Sequence, residues 1–192
     1  MKGIAKGGLV SLLGVALTLG VGLSGRVWSR GSVLKAHADI EGAPGSGISG
    51  EAQFIQTEDG ILPNVMVIVH VNGLPADTTH GIHIHEIGIC ASPFSTAGGH
   101  FDPGPFGQSN PDANHPFHMG DLPNLVANSA GVASLETRTN RVTLSPGPLS
   151  IFDANGSAII IKANPDQGIT GAPGSGVSGG PRIACGVIQP DD

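Results

Sequence analysis

The sequence predicts an all-β domain, and three observations carry that expectation. Beyond residue 38, apolar and polar residues alternate in short runs, which is the period of a half-buried strand. Turn-forming groups separate the runs, among them Glu58-Asp59-Gly60, Asn72-Gly73 and Asn155-Gly156. No stretch after residue 38 has helical periodicity with caps. The predicted strands are 50–57, 64–71, 81–85, 124–128, 132–136 and 157–162. Short strands at such spacing favour a sandwich or a flattened barrel.

Taken in order, the first 38 residues read as an export signal. Lys2 and Lys6 form a basic start, and an apolar, glycine-loosened run follows over 7–25. Ala36-His37-Ala38 supplies an A-x-A cleavage motif before Asp39. The spacer over 26–35 is longer than usual, and an uncleaved anchor is the competing reading. This divides the chain into a signal peptide, 1–38, and one domain, 39–192. Removing the signal leaves Arg138, Arg141, Lys162 and Arg182 as the only basic side chains against fifteen acidic ones, a net charge of −11. Such a surface excludes nucleic acid as a partner, and an anionic membrane surface once the signal is gone. The expected location is the periplasm or the cell exterior.

The densest chemistry lies in strand 81–85. His80-Gly81-Ile82-His83-Ile84-His85 places His83 and His85 on one strand face, about 6–7 Å apart. Two imidazoles held in this way suit a copper or zinc ion. Downstream, the segment 88–123 is dense in Gly, Pro, Asn, Asp and His, and a loop of that length in a small domain is usually functional. A second irregular segment, 164–181, is glycine-rich and nearly uncharged. Within it, 171–179 nearly repeats 42–50, which reads as two similar loops leading into strands. The two cysteines, Cys90 and Cys185, suit one disulfide in an oxidising compartment, with a pair of buried thiols as the competing reading.

Four motifs in order resemble the copper/zinc superoxide dismutases. They are His-Gly-Ile-His-Ile-His-Glu from His80, Gly-Gly-His-Phe-Asp-Pro around His100, His-Met-Gly-Asp-Leu-Pro-Asn from His118, and Arg-Ile-Ala-Cys-Gly-Val-Ile from Arg182. The resemblance implies a Greek-key β-barrel with long metal-binding and electrostatic loops, copper and zinc as cofactors, and superoxide as substrate. It implies that His83, His85 and His100 bind copper, that His100 also bridges to zinc, and that His118 and Asp121 bind zinc. It makes Arg182 the group that docks superoxide, and His100 a participant in proton delivery. It pairs Cys90 with Cys185, makes Asp166 an aspartate that orients ligands of both metals, and leaves His80 buried beneath the copper site as a non-ligand. The family includes monomers and dimers, so a homodimer is one of two states it allows.

The chain departs from this pattern at two positions. Lys162 stands where a fourth copper histidine belongs, and an ammonium has no lone pair to give a metal. Phe106 stands where a third zinc histidine belongs; His115, three residues before His118, either replaces it or is a solvent-exposed loop residue. The expected function is a secreted dismutase converting superoxide to oxygen and hydrogen peroxide. The alternative is an impaired copper-binding, copper-handling or structural member of the same fold.

Overall fold

Alternation of small or β-branched residues with polar ones builds three long strands at the start of the domain. In β1 (Leu34–Gly42), Ala36, Ala38 and Ile40 are buried while Lys35, His37, Asp39 and Glu41 face water. β2 (Ser49–Thr57) buries Ala52, Phe54 and Gln56, and β3 (Asn64–Asn72) buries Val65, Val67, Val69 and Val71. The structure is a computed structural model that describes residues 3, 33–57, 64–104 and 107–191. The expected turn at Glu58-Asp59-Gly60, Phe106 and nearly all of the expected signal lie outside those residues.

The remaining strands are β4 (Thr79–His80), β5 (Ile82–His85), β6 (Leu125–Val126), β7 (Ala133–Thr139), β8 (Ala158–Lys162), β9 (Arg182–Val187) and β10 (Gln189–Pro190). One antiparallel sheet runs in the order β5-β8-β9-β1-β2-β3-β7, with β10 added beside β1. β4, which directly precedes β5, pairs with β6, and Ala127 just after β6 bridges to Ala133 of β7. These contacts join the β5 edge to the β7 edge, so the sheet curls into a barrel and leaves no long exposed edge. A 3-10 turn at Ser95–Ala97 is the only helical element among the described residues. None of the described helical structure is long and apolar enough to cross a membrane.

Five of the six predicted strands recur within a residue or two at the ends, except that β7 runs to Thr139; the sixth, 124–128, shortens to β6. β1, β4, β9 and β10 were not anticipated. All five residues of β8 are buried, because the long loops cover its outer face. The Ala36-His37-Ala38 motif lies inside β1, where Ala36 and Ala38 pack in the core and Leu34–Ala38 pair with 52–56 of β2. A cut before Asp39 would remove five of the nine residues of that strand.

Candidate metal centre

β5 supplies the base of the site. Ile82 and Ile84 enter the barrel core, so the period of two turns His83 and His85 to the opposite face, under the loop that follows. Both rings are fully buried, and no such pair of polar rings is tolerated without partners. Single antiparallel bridges from His85 to His100 and from His83 to Asp121 lay the long loop directly on this strand. Gly81 permits the close fit beside it, since a Cβ there would meet the Ser178 carbonyl at 3.0 Å and the His83 ring at 3.1 Å.

The rings of His83, His85 and His100 each have one nitrogen fixed and one left bare. Nε2 of His83 donates to Asp166 Oδ2 at 3.0 Å, Nδ1 of His85 donates to the Gly98 carbonyl at 3.1 Å, and Nδ1 of His100 donates to Asp121 Oδ1 at 2.7 Å. The nitrogens left without a partner are Nδ1 of His83, Nε2 of His85 and Nε2 of His100. Three such orphaned lone pairs are costly in a dry interior unless a cation completes them. The His100 ring centroid lies 4.0 Å from that of His83 and 4.9 Å from that of His85, so the three rings form one cluster.

A second set gathers around Asp121. Its carboxylate meets Nδ1 of His100 at 2.7 Å, Nδ1 of His118 at 3.0 Å and Nδ1 of His115 at 3.2 Å, the last out of hydrogen-bonding alignment. His115 is fully buried, which excludes the solvent-exposed alternative, and its Nε2 donates to Asp166 Oδ1 at 2.6 Å. Asp166 therefore holds His83 with one oxygen and His115 with the other. One ligand atom from each of His83, His100, His115 and Asp121 lies within 4.8 Å of the rest. His100 belongs to both sets. Three imidazoles and a carboxylate are a donor set suited to zinc, and three imidazoles alone suit copper.

Protonation follows the same division. Burial, reinforced by neighbouring cationic groups, holds His85 well below the ordinary imidazole value. Burial and the neighbouring His83 push His100 down to about 2, so its ring is neutral. Burial also opposes a charge on His115, yet the carboxylates of Asp121 and Asp166 against its two nitrogens lift it to about 9. Burial would raise Asp121, but the three histidines hold it far below the usual carboxylate range. The carboxylate side of the site thus binds positive charge, while the three-histidine side offers neutral lone pairs.

Other predicted residues fall around this core. His80 is held at both ring nitrogens, by the Lys162 carbonyl at 2.8 Å and the Thr78 hydroxyl at 2.7 Å, and so is no ligand. Lys162 is only 2% exposed, and burial followed by repulsion from Arg182 lowers it to about 8. Arg182 donates to the carbonyls of Phe94 and Gly98, the latter shared with His85. Cys90 and Cys185 form a disulfide that ties this same loop to β9. Two contributors carry no sequence signal: Arg141, which donates to the carbonyls of Pro116 and His118, and Asp112, which accepts from Gly176 and Ser178. Backbone carbonyls and long-range capping pairs become visible only when the loops are folded.

Comparison with known proteins places these features in a lineage. The family profile for copper/zinc superoxide dismutase (SODC) matches residues 48–188. The chain is 36% identical over 160 residues to superoxide dismutase [Cu-Zn] 2 of Aquifex aeolicus, covering 81% of this chain and 87% of that one. It is 32% identical over 186 residues to the extracellular superoxide dismutase [Cu-Zn] of Drosophila melanogaster, covering 94% and 98%. Among solved structures, a proline-to-histidine mutant of an SOD-like protein from Bacillus subtilis superposes with a TM-score of 0.62 at 30% identity, over 79% of this chain and 95% of that one. With the barrel, the disulfide and two histidine sets meeting at one ring, the match over most of its length makes this chain a member of the copper/zinc superoxide dismutase family.

Proposed function

We propose that the protein is an exported superoxide dismutase-type metalloprotein. In it, His83, His85 and His100 hold copper, while His100, His115, His118 and Asp121 hold zinc. One observation carries this reading: the rings of His83, His85 and His100 gather in one cluster, and each has one bare nitrogen while its other nitrogen is already fixed. Copper, when bound, supplies the one-electron couple by which one superoxide is oxidised to oxygen and another reduced to hydrogen peroxide. Arg182 binds the anion, its guanidinium oriented by the Phe94 and Gly98 carbonyls. Burial keeps the His100 ring neutral at working pH, so its bare Nε2 lone pair is available to a metal.

Lys162 favours a second reading, in which copper binds but turns over slowly. Three imidazoles suit Cu(I), whereas Cu(II) prefers a fourth, tetragonal donor that a protonated lysine cannot supply. Lys162→His decides between the two. Copper affinity and dismutase rate should each rise at least tenfold in the variant. If neither changes, Lys162 lies outside the copper shell and the first reading stands without it.

Export is part of the proposal, with processing upstream of β1 rather than inside it. Gly22-Leu23-Ser24 and Ser29-Arg30-Gly31 both offer small residues in the spacing a signal peptidase reads. The secreted protein should therefore begin between Gly25 and Val33 by N-terminal sequencing. A mature protein beginning at Asp39 would overturn this, since the barrel would then lack half of β1.

A further inference from the structure

Phe117 lies between the two loop histidines and points to water, 63% exposed. Burial therefore does not hold the turn that spaces His115 from His118. Its backbone is held from outside instead. Thr170 Oγ1 donates to the His115 carbonyl at 2.6 Å, and Arg141 Nη1 donates to the carbonyls of Pro116 and His118 at 3.2 Å each. Among the described residues, no other donor reaches the Pro116 carbonyl. Arg141 is a firm root for such a strut. It follows β7 closely, its amide donates to the Thr139 hydroxyl at 3.1 Å, and the next residue, Val142, is fully buried in the barrel core.

Asp121 and Asp166 line the same cavity as Arg141, a space of about 400 Å³. A guanidinium beside carboxylates ordinarily pairs with them. Here Arg141 forms no such ion pair among the described residues, and the carboxylates accept from histidines instead, Asp121 from His100 and His118, Asp166 from His83 and His115. An arginine seated on Asp121 would compete with a metal for the same oxygens. Spending Nη1 on backbone carbonyls fixes the histidine turn and leaves the carboxylate available. The copper half has supports of its own, because His83 and His85 stand on β5 and are held by Asp166 and the Gly98 carbonyl. Given the zinc set proposed above, we infer that Arg141 is a positioning residue for zinc alone: it fixes the separation of His115 and His118 around Asp121 and so sets zinc affinity without setting copper affinity.

The test compares the exported wild-type protein with Arg141→Gln and Arg141→Lys. Zinc affinity, read by chelator competition, should fall at least about tenfold in Arg141→Gln, while copper affinity stays at the wild-type value. Arg141→Lys keeps the charge but not the planar fork, so its zinc affinity should be intermediate. It also carries the zinc-against-copper comparison should the glutamine variant fold poorly. Cobalt(II), which accepts the same ligands as zinc, reports the geometry directly. Its visible absorption should differ between wild type and Arg141→Gln well below the melting transition, a change that a merely less stable barrel would not produce. In the metal-free protein, hydrogen-exchange protection of the Phe117, His118 and Asp121 amides should fall in Arg141→Gln. Zinc bound equally by wild type and Arg141→Gln, with the same cobalt spectrum, would overturn the positioning role and leave the ligand set intact. Equal losses of zinc and copper affinity would also overturn it, by making Arg141 a general support of the loop. A wild type that takes up no zinc would reject the ligand set itself, and the role of Arg141 with it.

Discussion

In the proposed site, single side chains decide which metal goes where. His115 sits three residues before His118, and its Nδ1 faces Asp121 while its Nε2 donates to Asp166. Those two contacts place it to serve as the third zinc nitrogen of the proposed site and tie it to the aspartate that also orients His83. His115→Ala should lower zinc affinity by roughly a hundredfold while leaving three nitrogens for copper. Competition with a zinc chelator, read beside copper stoichiometry, checks this; unchanged zinc affinity would return His115 to the role of a loop residue. At this scale the sequence marks candidates wherever a motif fixes spacing, as for His83, His85, His100, His118 and Asp121. It left His115 open because that ring reaches the site through the path of an irregular loop, which no local periodicity encodes. Lys162 was legible as a departure, but its lack of a carboxylate partner depends on what Asp112 and Asp166 bond instead.

Elements show a similar division between pattern and packing. β2, β3 and β8 were visible as alternating or continuous apolar runs, whereas β1 was obscured by a coincidence of small residues. Ala36 and Ala38 read in sequence as a cleavage motif, and in the fold their size meets a packing need: a Cβ on Gly186 of β9 would already lie 3.1 Å from the Ala38 methyl. Ala38→Leu should therefore overpack the β1–β9 contact and cost about 1–3 kcal/mol in chemical denaturation, where a loss below the error of the method would contradict the tight fit. The glycine-rich loop owes its shape to a distant acid. The Asp112 carboxylate collects the amides of Gly176 and Ser178 and the Ser178 hydroxyl, joining the 171–179 segment to the long loop. Burial works against its charge, but these donors hold its pKa below the ordinary carboxylate value. A depressed folded pKa means the tether contributes fully above the ordinary carboxylate range and is lost as pH falls through the folded value. Hydrogen-exchange protection in 171–179, taken relative to the intrinsic rate at each pH, should thus fall in acid below about pH 4, and Asp112→Ala should show the low protection already at neutral pH. Equal protection in the variant and wild type at pH 7 would remove Asp112 from this role.

For the whole molecule, the disulfide joins stability to chemistry. Cys90 and Cys185 are 95 residues apart, so the bond closes a loop holding the long metal-binding segment and most of the second half of the barrel. Closing a loop of that length lowers the entropy of the unfolded chain by an amount worth about 4–5 kcal/mol in the simplest account. For a domain of this size, that corresponds to a melting temperature higher by about 10 °C. The same bond anchors the segment whose Phe94 and Gly98 carbonyls orient Arg182, and Gly98 also accepts from His85. Losing the disulfide should therefore have two effects of different origin. Cys90→Ser with Cys185→Ser should lower the melting temperature by about 10 °C, and copper affinity should fall because the His85 ring loses its fixed orientation. The main barrel core around Phe54, Ile82, Ile159 and Ile161 does not include the two cysteines, so β-sheet circular dichroism should persist at room temperature. Measuring both separates the roles. A large thermal shift with unchanged copper affinity would make the bond a staple alone. Weaker copper binding well below the melting transition would show that the disulfide also holds the site in register.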